Sequence, residues 1–365
     1  MTNEHLRVSV DRADGTITVE ADGVRVASAD RLVDGGDGGD TYNYSPPEID
    51  TIVDTPVAVD VEVAESGPVR ARIVVTRTYE WPVAALGDER SCHARSAHTV
   101  ATEVQTTYEV RAGERFVRVE QSFDNRARDH RLRAHFPLPR PVTTSHAECA
   151  FAVVERGLHA EGGPHEFGLP TFVSRRFVDG SDGEQGLAIL HDGLLEYEVV
   201  EGGRELALTL LRATGYLSRS ELSLRPNPAG PLDVLEGPQL QGRVTLRYAL
   251  LPHRGTWEQA DLFDAADEFL VPLQKVRGGG WPGASAPAAG SNLTVTGAPV
   301  SAVTREGDDV LVRVFNPGTT DTDVSITRNG TPLGGAVVDF VGTEVAPFAG
   351  TLTVAPGAIR TLRLG

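Results

Sequence analysis

The sequence is poor in lysine, methionine, cysteine and aromatic residues, and its charge is strongly of one sign. Of its 34 basic residues only Lys275 is a lysine, and the 51 acidic residues give a net charge of −17 at pH 7. A chain this acidic does not attract nucleic acid or an anionic membrane surface. We therefore expect neither as a partner.

Long apolar runs are also absent. A membrane-spanning helix needs about 18 or more consecutive apolar residues, and no such run occurs. The first residues, Met1 to His5, lack the apolar stretch of a signal peptide. These features predict a cytoplasmic protein. Cys92 and Cys149 are the only cysteines and form no CxxC pair, so a disulfide is possible but not indicated.

Catalytic and metal-binding motifs are missing as well. The ten histidines show neither HxH nor HExxH spacing, and no GxSxG motif, phosphate-binding loop or GxGxxG turn before a helix occurs. The sequence therefore predicts no metal site and no catalytic residue in this chain.

The residues that are plentiful indicate strands joined by turns. Glycine and proline number 39 and 23, and β-branched runs recur between them. Asp14-Gly15 and Ala112-Gly113-Glu114 predict hairpin turns. This pattern predicts an all-β protein with a large sandwich over residues 1–275. The clearest strands are predicted at 7–10, 16–20, 57–63, 69–79, 100–110, 116–123, 187–190, 196–200, 206–211 and 244–251.

One helix and a second domain follow. Thr256-Trp-Glu-Gln259 has the form of a capping box with Thr256 as the N-cap, and apolar residues then recur at helical spacing until Pro272. Residues 276–291 are rich in Gly, Ala, Pro and Ser, which predicts a linker. Residues 292–365 show strand patterns again and predict a small β-sandwich.

The run from Asp34 to Pro47 is the most informative segment. Acids alternate with glycines, and Tyr42, Tyr44 and a double proline follow. We predict a shaped loop that presents carboxylates and phenol rings to a polar ligand or to another protein. The three-residue spacing of the acids differs from that of a calcium loop, so Asx turns within the loop are favoured over a metal site.

Three other polar segments each allow two interpretations. Asp129 beside His130 could form an acid/base pair, but structural salt bridges with the neighbouring arginines are favoured. Arg156 could recognise hydroxyl or carboxylate groups, or could be a solvated charge at a strand end. The segment Glu236 to Gln241 could line a sugar-binding groove or satisfy a β-bulge.

These segments, taken in order, resemble the C-terminal β region of glycoside hydrolase family 38, the α-mannosidases, and especially its bacterial, mannosylglycerate hydrolase-like branch. The resemblance covers about residues 3–275 and, more weakly, 310–316. It rests on Gly38-Gly-Asp40-Thr-Tyr42-Asn-Tyr44-Ser-Pro46-Pro47, Ser66-Gly-Pro68, Asp124-Asn125 with Asp129-His130-Arg131-Leu-Arg133, Phe151-Ala-Val-Val-Glu155-Arg156, Glu236-Gly-Pro-Gln239 and Leu250-Leu-Pro252-His253.

The resemblance implies a galactose mutarotase-like β-supersandwich followed by a smaller β-domain. In this family the catalytic zinc, its ligands and the nucleophile lie in an N-terminal barrel, which we expect to be outside this chain. The resemblance also implies that Tyr42 and Arg156 face the α-mannoside, with Asp40 as a further candidate for substrate binding. The expected function is therefore the non-catalytic part of an α-mannosidase-like enzyme, with the catalytic barrel as its partner.

Two alternatives belong to other functional classes. The chain could be a stand-alone carbohydrate-binding module, which requires exposed aromatic residues in a groove. It could also be a mutarotase-type enzyme, with His130 or His135 as the acid and Glu236 as the base. The latter requires a histidine and Glu236 to lie close together.

Overall fold

The computed structural model describes residues 1–165, 167–278, 283 and 289–365. Strands make up 53% and helices 3% of the chain, which confirms the predicted all-β class. The described residues form two compact units. Among them, no helix is long and apolar enough to cross a membrane. Most of the predicted linker, namely residues 279–282 and 284–288, lies outside the described residues.

The first unit comprises residues 1–147 and 155–270. Its strands and those leading out of it are, in chain order, β1 (Leu6–Val10), β2 (Ile17–Ala21), β3 (Val24–Ala29), β4 (Arg31–Gly36), β5 (Ala58–Ser66), β6 (Arg70–Pro82), β7 (Ala85–Gly87), β8 (Cys92–Arg95), β9 (Thr99–Arg111), β10 (Val117–Asn125), β11 (His130–Pro137), β12 (Thr144–Cys149), β13 (Ala152–Gly157), β14 (Thr171–Val173), β15 (Phe177–Ser181), β16 (Gln185–His191), β17 (Glu196–Val200), β18 (Glu205–Ala213) and β19 (Gly242–Arg254).

Two large antiparallel sheets dominate this unit. One has nine strands in the order β13-β12-β15-β16-β19-β10-β9-β6-β5, and the other has five in the order β14-β17-β18-β11-β4. Strands β1 to β3 form a separate sheet, and β7 pairs with β8. The predicted hairpin turns at Asp14-Gly15 and at Ala112-Gly113-Glu114 are confirmed, because β1 pairs with β2 and β9 pairs with β10 in antiparallel register.

The core lies between the two large sheets. Apolar and polar residues alternate along the strands, and the apolar ones form the core. In β11, Leu132 and Phe136 are fully buried, and the ring of Phe136 packs edge-on against Tyr248 of β19 at 5.8 Å. The alternate residues of β11 are Arg131, Arg133 and His135, whose side chains pair with acidic residues of β17 and β18. The five-stranded sheet therefore has one apolar face and one charged face.

A fully buried polar cluster joins the sheets inside this core. Asp30 has a left-handed φ of 66° and accepts hydrogen bonds from Tyr108, Tyr248 and Gln121. Arg77 pairs with Asp30 at 3.2 Å and also donates to the carbonyl of Gly15 at 2.8 Å. These contacts fix the corner before β4, where the acidic segment begins.

The helix begins later than the capping box predicts. Thr256 and Gln259 do exchange hydrogen bonds, with Thr256 N donating to the Gln259 side chain at 3.0 Å. However, Asp261 has a left-handed φ of 51°, so helical geometry is interrupted after one turn. The helix α1 therefore comprises only Leu262–Leu270.

The second unit comprises residues 148–154 and 271–365. It has its own apolar core and contains a four-stranded and a five-stranded sheet. The expected boundaries were 275 and 292, whereas the contacts place residues from 271 onward, and the turn between β12 and β13, in this unit. Its strands are β20 (Leu293–Thr296), β21 (Val300–Glu306), β22 (Asp309–Phe315), β23 (Thr322–Arg328), β24 (Thr331–Pro332), β25 (Gly335–Val338), β26 (Glu344–Phe348), β27 (Thr351–Val354) and β28 (Ile359–Leu364).

Candidate functional site

The acidic segment starts as a strand and continues as a loop. The sequence predicted a loop from Asp34 onward, but Asp34, Gly35 and Gly36 belong to β4, which pairs with β11 at the edge of the five-stranded sheet. That part of the prediction is wrong, because an edge strand tolerates glycine and polar residues that a central strand would not. We define residues 37–50 as the acidic loop.

Each of the three spaced acids is buried and neutralised by an arginine. The carboxylate of Asp34 contacts Arg95 at 2.5 Å and His130 Nδ1 at 2.6 Å. Asp37 and Asp40 pair in the same way with arginines that lie far along the chain. The acids therefore hold the loop in place and are not presented to solvent.

The predicted Asx turns are confirmed. Asp37 Oδ1 accepts a hydrogen bond from Gly39 N at 2.9 Å. Asp40 Oδ1 accepts from the backbone N–H groups of both Tyr42 and Asn43, each at 2.9 Å. The carboxylate of Asp40 has no exposed surface, so in this conformation it can act on a ligand only through the residues that it holds. Its predicted contact with substrate stays a prediction.

Side chains from β18 and the following segment hold three consecutive carbonyl groups of the acidic loop. Gly38 O accepts a hydrogen bond from Arg219 at 2.8 Å, Gly39 O from Thr214 at 3.0 Å and Asp40 O from Arg212 at 2.9 Å. Sequence reasoning missed these residues. The available signal was the cluster of arginines between positions 212 and 225 in a chain whose acids needed partners.

The glycines of the loop are required by close packing. A Cβ atom on Gly38 would lie 2.3 Å from the Cβ of Cys92, and one on Gly39 would lie 2.0 Å from the carbonyl oxygen of Asn43. Neither position could hold a side chain without displacing backbone or a buried thiol. The loop is therefore built to a fixed shape.

Tyr42 and Tyr44 point to different environments. Tyr42 is 54% exposed, whereas the ring of Tyr44 lies under the guanidinium of Arg131 at 3.5 Å. Burial raises the pKa of Tyr44 above its usual value, so this phenol stays neutral. The turn at Asp40 supplies the kink that separates two tyrosines which an extended strand would place on one face. Tyr42 is therefore the residue that the loop presents.

Arg156 lies on β13, beside a cavity of about 600 Å³. Its guanidinium lies 5.2 Å from the ring of Phe172, a cation–π contact. Most of the other residues that line the cavity come from the segment between β13 and β14, which we call the long loop (158–170). Arg156 is half-buried and is one of the residues that line this cavity.

A third loop joins the surroundings of Tyr42 and Arg156. This loop, residues 214–241 between β18 and β19, is here called the arginine loop. Ser223 contacts Ser45 of the acidic loop at 3.2 Å, and Leu224 O accepts a hydrogen bond from Phe167 N of the long loop at 2.8 Å. The three loops therefore form one interlocked layer that includes Tyr42.

The interlocked layer exposes several apolar side chains. Ile49 is 73% exposed on the acidic loop, and Val234 is 68% exposed on the arginine loop. Ile52, just after the acidic loop, and Leu232 are also exposed. A contiguous patch of exposed apolar groups marks a surface that another protein covers, and these four side chains are candidates for such a patch.

The remaining polar candidates have structural partners. His130 contacts Asp34 and Asn125, and His135 contacts Glu205 at 2.9 Å. Glu236 is exposed and pairs with Arg128. This arrangement gives each histidine a partner other than Glu236, which disfavours the mutarotase-type site.

The ion pairs of this region are structural, as predicted, but their partners differ from the prediction. Arg133 pairs with Glu198 at 2.8 Å, and Arg131 lies within 4 Å of both Glu196 and Glu198. Asp129 instead accepts a hydrogen bond from the side chain of Gln239 at 2.8 Å, and burial raises the pKa of its carboxyl. Within the described ranges, no group of three His, Cys, Asp or Glu side chains could hold a metal ion.

Comparisons with known proteins agree with this architecture. The family model described as "Glycosyl hydrolases family 38 C-terminal domain" matches residues 1–228. A protein of Halalkalibacterium halodurans, provisionally named a mannosylglycerate hydrolase, is 27% identical over 294 residues, which are 74% of this chain and 30% of that protein.

Two solved structures from Enterococcus faecalis share the fold over the whole chain. An α-mannosidase superposes with a TM-score of 0.85 at 23% identity, and this chain covers 42% of its length. A family 38 protein superposes with a TM-score of 0.80, also at 23% identity, with 44% of its length covered. This chain thus spans less than half the length of each relative.

The fold is all-β, and the matched region is that of a glycoside hydrolase C-terminal domain. The chain belongs to glycoside hydrolase family 38 and contains its C-terminal domain. The resemblance seen in the sequence is confirmed.

Proposed function

We propose that this chain is the non-catalytic β region of a zinc-dependent, α-mannosidase-like hydrolase and that it completes the mannoside pocket of a catalytic barrel domain. The observation that carries the proposal is the interlocked loop layer, which holds Tyr42 outward on a rigid turn in a chain of this family. Zinc and the reacting carboxylates would belong to the barrel.

The chemistry of Tyr42 and Arg156 supports a role in sugar recognition. A phenol can both donate and accept a hydrogen bond, and a guanidinium offers a planar set of donors that matches vicinal hydroxyl or carboxylate oxygens. Asp40 would contribute by fixing the backbone of Tyr42. These groups would bind and orient the sugar, while bond cleavage requires two carboxyl groups, which the barrel would supply.

The exposed apolar residues of the same layer support docking against the barrel. Ile49 lies on the acidic loop, Ile52 follows it, and Leu232 and Val234 lie on the arginine loop that bonds to it. Burial of such side chains stabilises association by about 25 cal/mol per Å² of apolar surface. The docked domain would then lie directly against the sugar-facing residues. A cytoplasmic location stays a prediction.

Hydrolysis of a chromogenic α-mannoside tests the proposal. The purified chain alone, with or without zinc, should show no turnover above buffer, whereas a zinc-loaded family 38 barrel domain should turn over faster when the chain is added. The variants Tyr42→Phe and Arg156→Lys should each lower kcat/KM by about 10-fold or more, because each removes hydrogen bonds to substrate.

Arg247→Gln serves as the matched control, since Arg247 is an exposed arginine on the nine-stranded sheet. It should leave the rate unchanged. Zinc-dependent turnover by the chain alone would contradict the proposal, as would full activity of both the Tyr42 and the Arg156 variants.

A further inference from the structure

The turn that carries Tyr42 depends on a single carboxylate. Asp40 Oδ1 accepts the N–H groups of Tyr42 and Asn43, and Asp40 N donates to Asn43 O at 3.0 Å, which closes the turn. The ring of Tyr42 is 54% exposed. The backbone from which the phenol extends is therefore held by the Asp40 carboxylate, whose other oxygen also accepts a hydrogen bond from Arg219 N at 2.7 Å.

Arg225 donates hydrogen bonds to the first and the last residue of this turn, Asp40 and Asn43. Arg225 Nη2 donates to Asp40 Oδ2, and Arg225 Nε donates to the side-chain oxygen of Asn43 at 2.6 Å. The remaining nitrogen, Nη1, donates to Asn227 O within the arginine loop. All three nitrogens of a guanidinium that is 5% exposed are thus engaged, and 185 residues separate Arg225 from Asp40.

The geometry points to Arg225 as the positioning residue of the sugar-facing Tyr42, acting through Asp40 and Asn43. This inference rests on the proposed function, since it supposes that Tyr42 faces the sugar. The planar fork of arginine offers donors at fixed spacing to the carboxylate and to the amide oxygen, whereas a lysine ammonium is a compact charge on a flexible stem and lacks that fixed geometry. Arg225 itself does not need to touch substrate.

The arginine loop also lies beside the phenol. A Cβ atom on Gly230 of the arginine loop would lie 3.4 Å from the hydroxyl oxygen of Tyr42 and 3.9 Å from Cβ of Ser218. The arginine loop therefore holds the turn through Arg225. Because residue 230 is a glycine, it places no side chain against the hydroxyl group of Tyr42. A displacement of about 1 Å in such a group can reduce catalysis about 100-fold.

A double-mutant cycle in the barrel-plus-chain assay tests the inference. Arg225→Lys should lower kcat/KM by about 10-fold, and Arg225→Gln by about 10- to 100-fold, with most of the loss in kcat, because the phenol is misplaced while other binding contacts remain. The double variant Arg225→Lys/Tyr42→Ala should be no slower than Tyr42→Ala alone, since Arg225 acts through Tyr42.

Two further variants separate positioning from a loss of folding. Arg118→Gln removes a comparably engaged arginine elsewhere in the same unit and should lower the melting temperature without lowering kcat. Asn43→Ala removes one arm of the Arg225 contact and should lower kcat in the same direction as Arg225→Lys, but less. If Arg225→Lys prevents folding, Asn43→Ala and its double variant with Tyr42→Ala provide the same cycle.

The outcomes distinguish this inference from the proposed function. Additive losses for Arg225→Lys and Tyr42→Ala, or full activity of Arg225→Lys while Tyr42→Ala is impaired, would overturn the inference alone. Full activity of Tyr42→Ala would overturn both the inference and the assignment of Tyr42 to the sugar site.

Discussion

At the scale of single residues, arginine neutralises four buried carboxylates of this protein. Asp30, Asp34, Asp37 and Asp40 are fully buried, and each pairs with one arginine. A guanidinium is less strongly hydrated than an ammonium and offers five donors, so it loses less when it is buried and can satisfy several acceptors. The scarcity of lysine thus matches the way in which the acids are held.

The hydroxyl groups around Asp30 give the first prediction. Tyr248→Phe removes a donor to the fully buried Asp30 carboxylate, so the free energy of unfolding should fall by about 1–3 kcal/mol. Urea denaturation measures the change. Tyr42→Phe, at an exposed position, should change stability by less than about 0.5 kcal/mol. Equal stabilities of the two variants would show that the cluster is not a stabilising network.

His191 gives a prediction about pH. Burial lowers its pKa from 6.5 to about 4, and its Nε2 lies 2.6 Å from the hydroxyl oxygen of Ser174. Between pH 6.5 and 4 the unfolded state binds more protons than the folded state, so stability falls as the pH falls through this window. At pH 4 the loss attributable to His191 should be on the order of 3 kcal/mol.

The measurement compares wild type with His191→Gln. Burial alone would lower the pKa of His253, but Asp179 outweighs it and the pKa is raised, so His253 contributes with the opposite sign in both proteins. The difference between the two stability curves isolates His191. The variant should lose less stability between pH 6.5 and 4.5; parallel curves would exclude this role.

At the scale of elements, a side chain from the nine-stranded sheet closes the C-terminal end of α1. Arg118 of β10 donates to the carbonyl oxygens of Phe269 at 3.1 Å and Glu268 at 3.0 Å. Its guanidinium also lies about 5 Å from the rings of Phe116 and Phe269. A positive charge at this end of a helix interacts favourably with the helix dipole. The helix is therefore anchored by tertiary contacts.

Arg118→Ala should destabilise α1 specifically. We expect faster amide hydrogen exchange across Leu262–Leu270 and a loss of about 1–3 kcal/mol, since charge-assisted hydrogen bonds to two carbonyl groups disappear. Arg247→Ala removes an exposed surface pair with Asp192 and should cost less than about 1 kcal/mol. Unchanged exchange in α1 after Arg118→Ala would rule out the anchoring role.

At the scale of the whole molecule, the two units are built from interleaved parts of the chain. Residues 148–154, from the turn between β12 and β13, group with the second unit. Phe151, with a left-handed φ of 61°, packs edge-on against Phe315 at 5.4 Å. The second unit therefore needs a piece of sequence that precedes most of it by more than 100 residues.

Deletion of residues 271–365 tests this arrangement. The first unit has its own large core and should still unfold cooperatively. Residues 148–154 should exchange their amide hydrogens faster, since they lose the ring of Phe315, while the hairpin turn at 111–115 should be unaffected. Phe151→Ala in the full chain should produce a smaller change in the same segment. Unchanged protection of 148–154 after the deletion would contradict the grouping.

Local chemistry was enough to predict several features. Alternation of β-branched residues and the turn glycines Gly15 and Gly113 located hairpins, because strand period and left-handed turn residues act over a few positions. The Asx turns at Asp37 and Asp40 could be predicted for the same reason, because each joins a side chain to a backbone N–H group only two or three residues away. The strand β11 was not predicted. Leu132 and Phe136 alternate with charged residues there, but the charged residues were interpreted as a polar segment and not as one face of a strand.

The sequence by itself determined the all-β class, the hairpins and the shape-forming acids of the loop. Only the tertiary structure decided which arginine pairs with which acid, that Asp34 lies within a strand, that Tyr42 is exposed while Tyr44 is covered, and that Asp261 delays the helix. The partners of Asp37 and Asp40 lie 175 and 185 residues away. Such pairs form only after the sheets have assembled, because closing so long a segment costs entropy that no local interaction offsets.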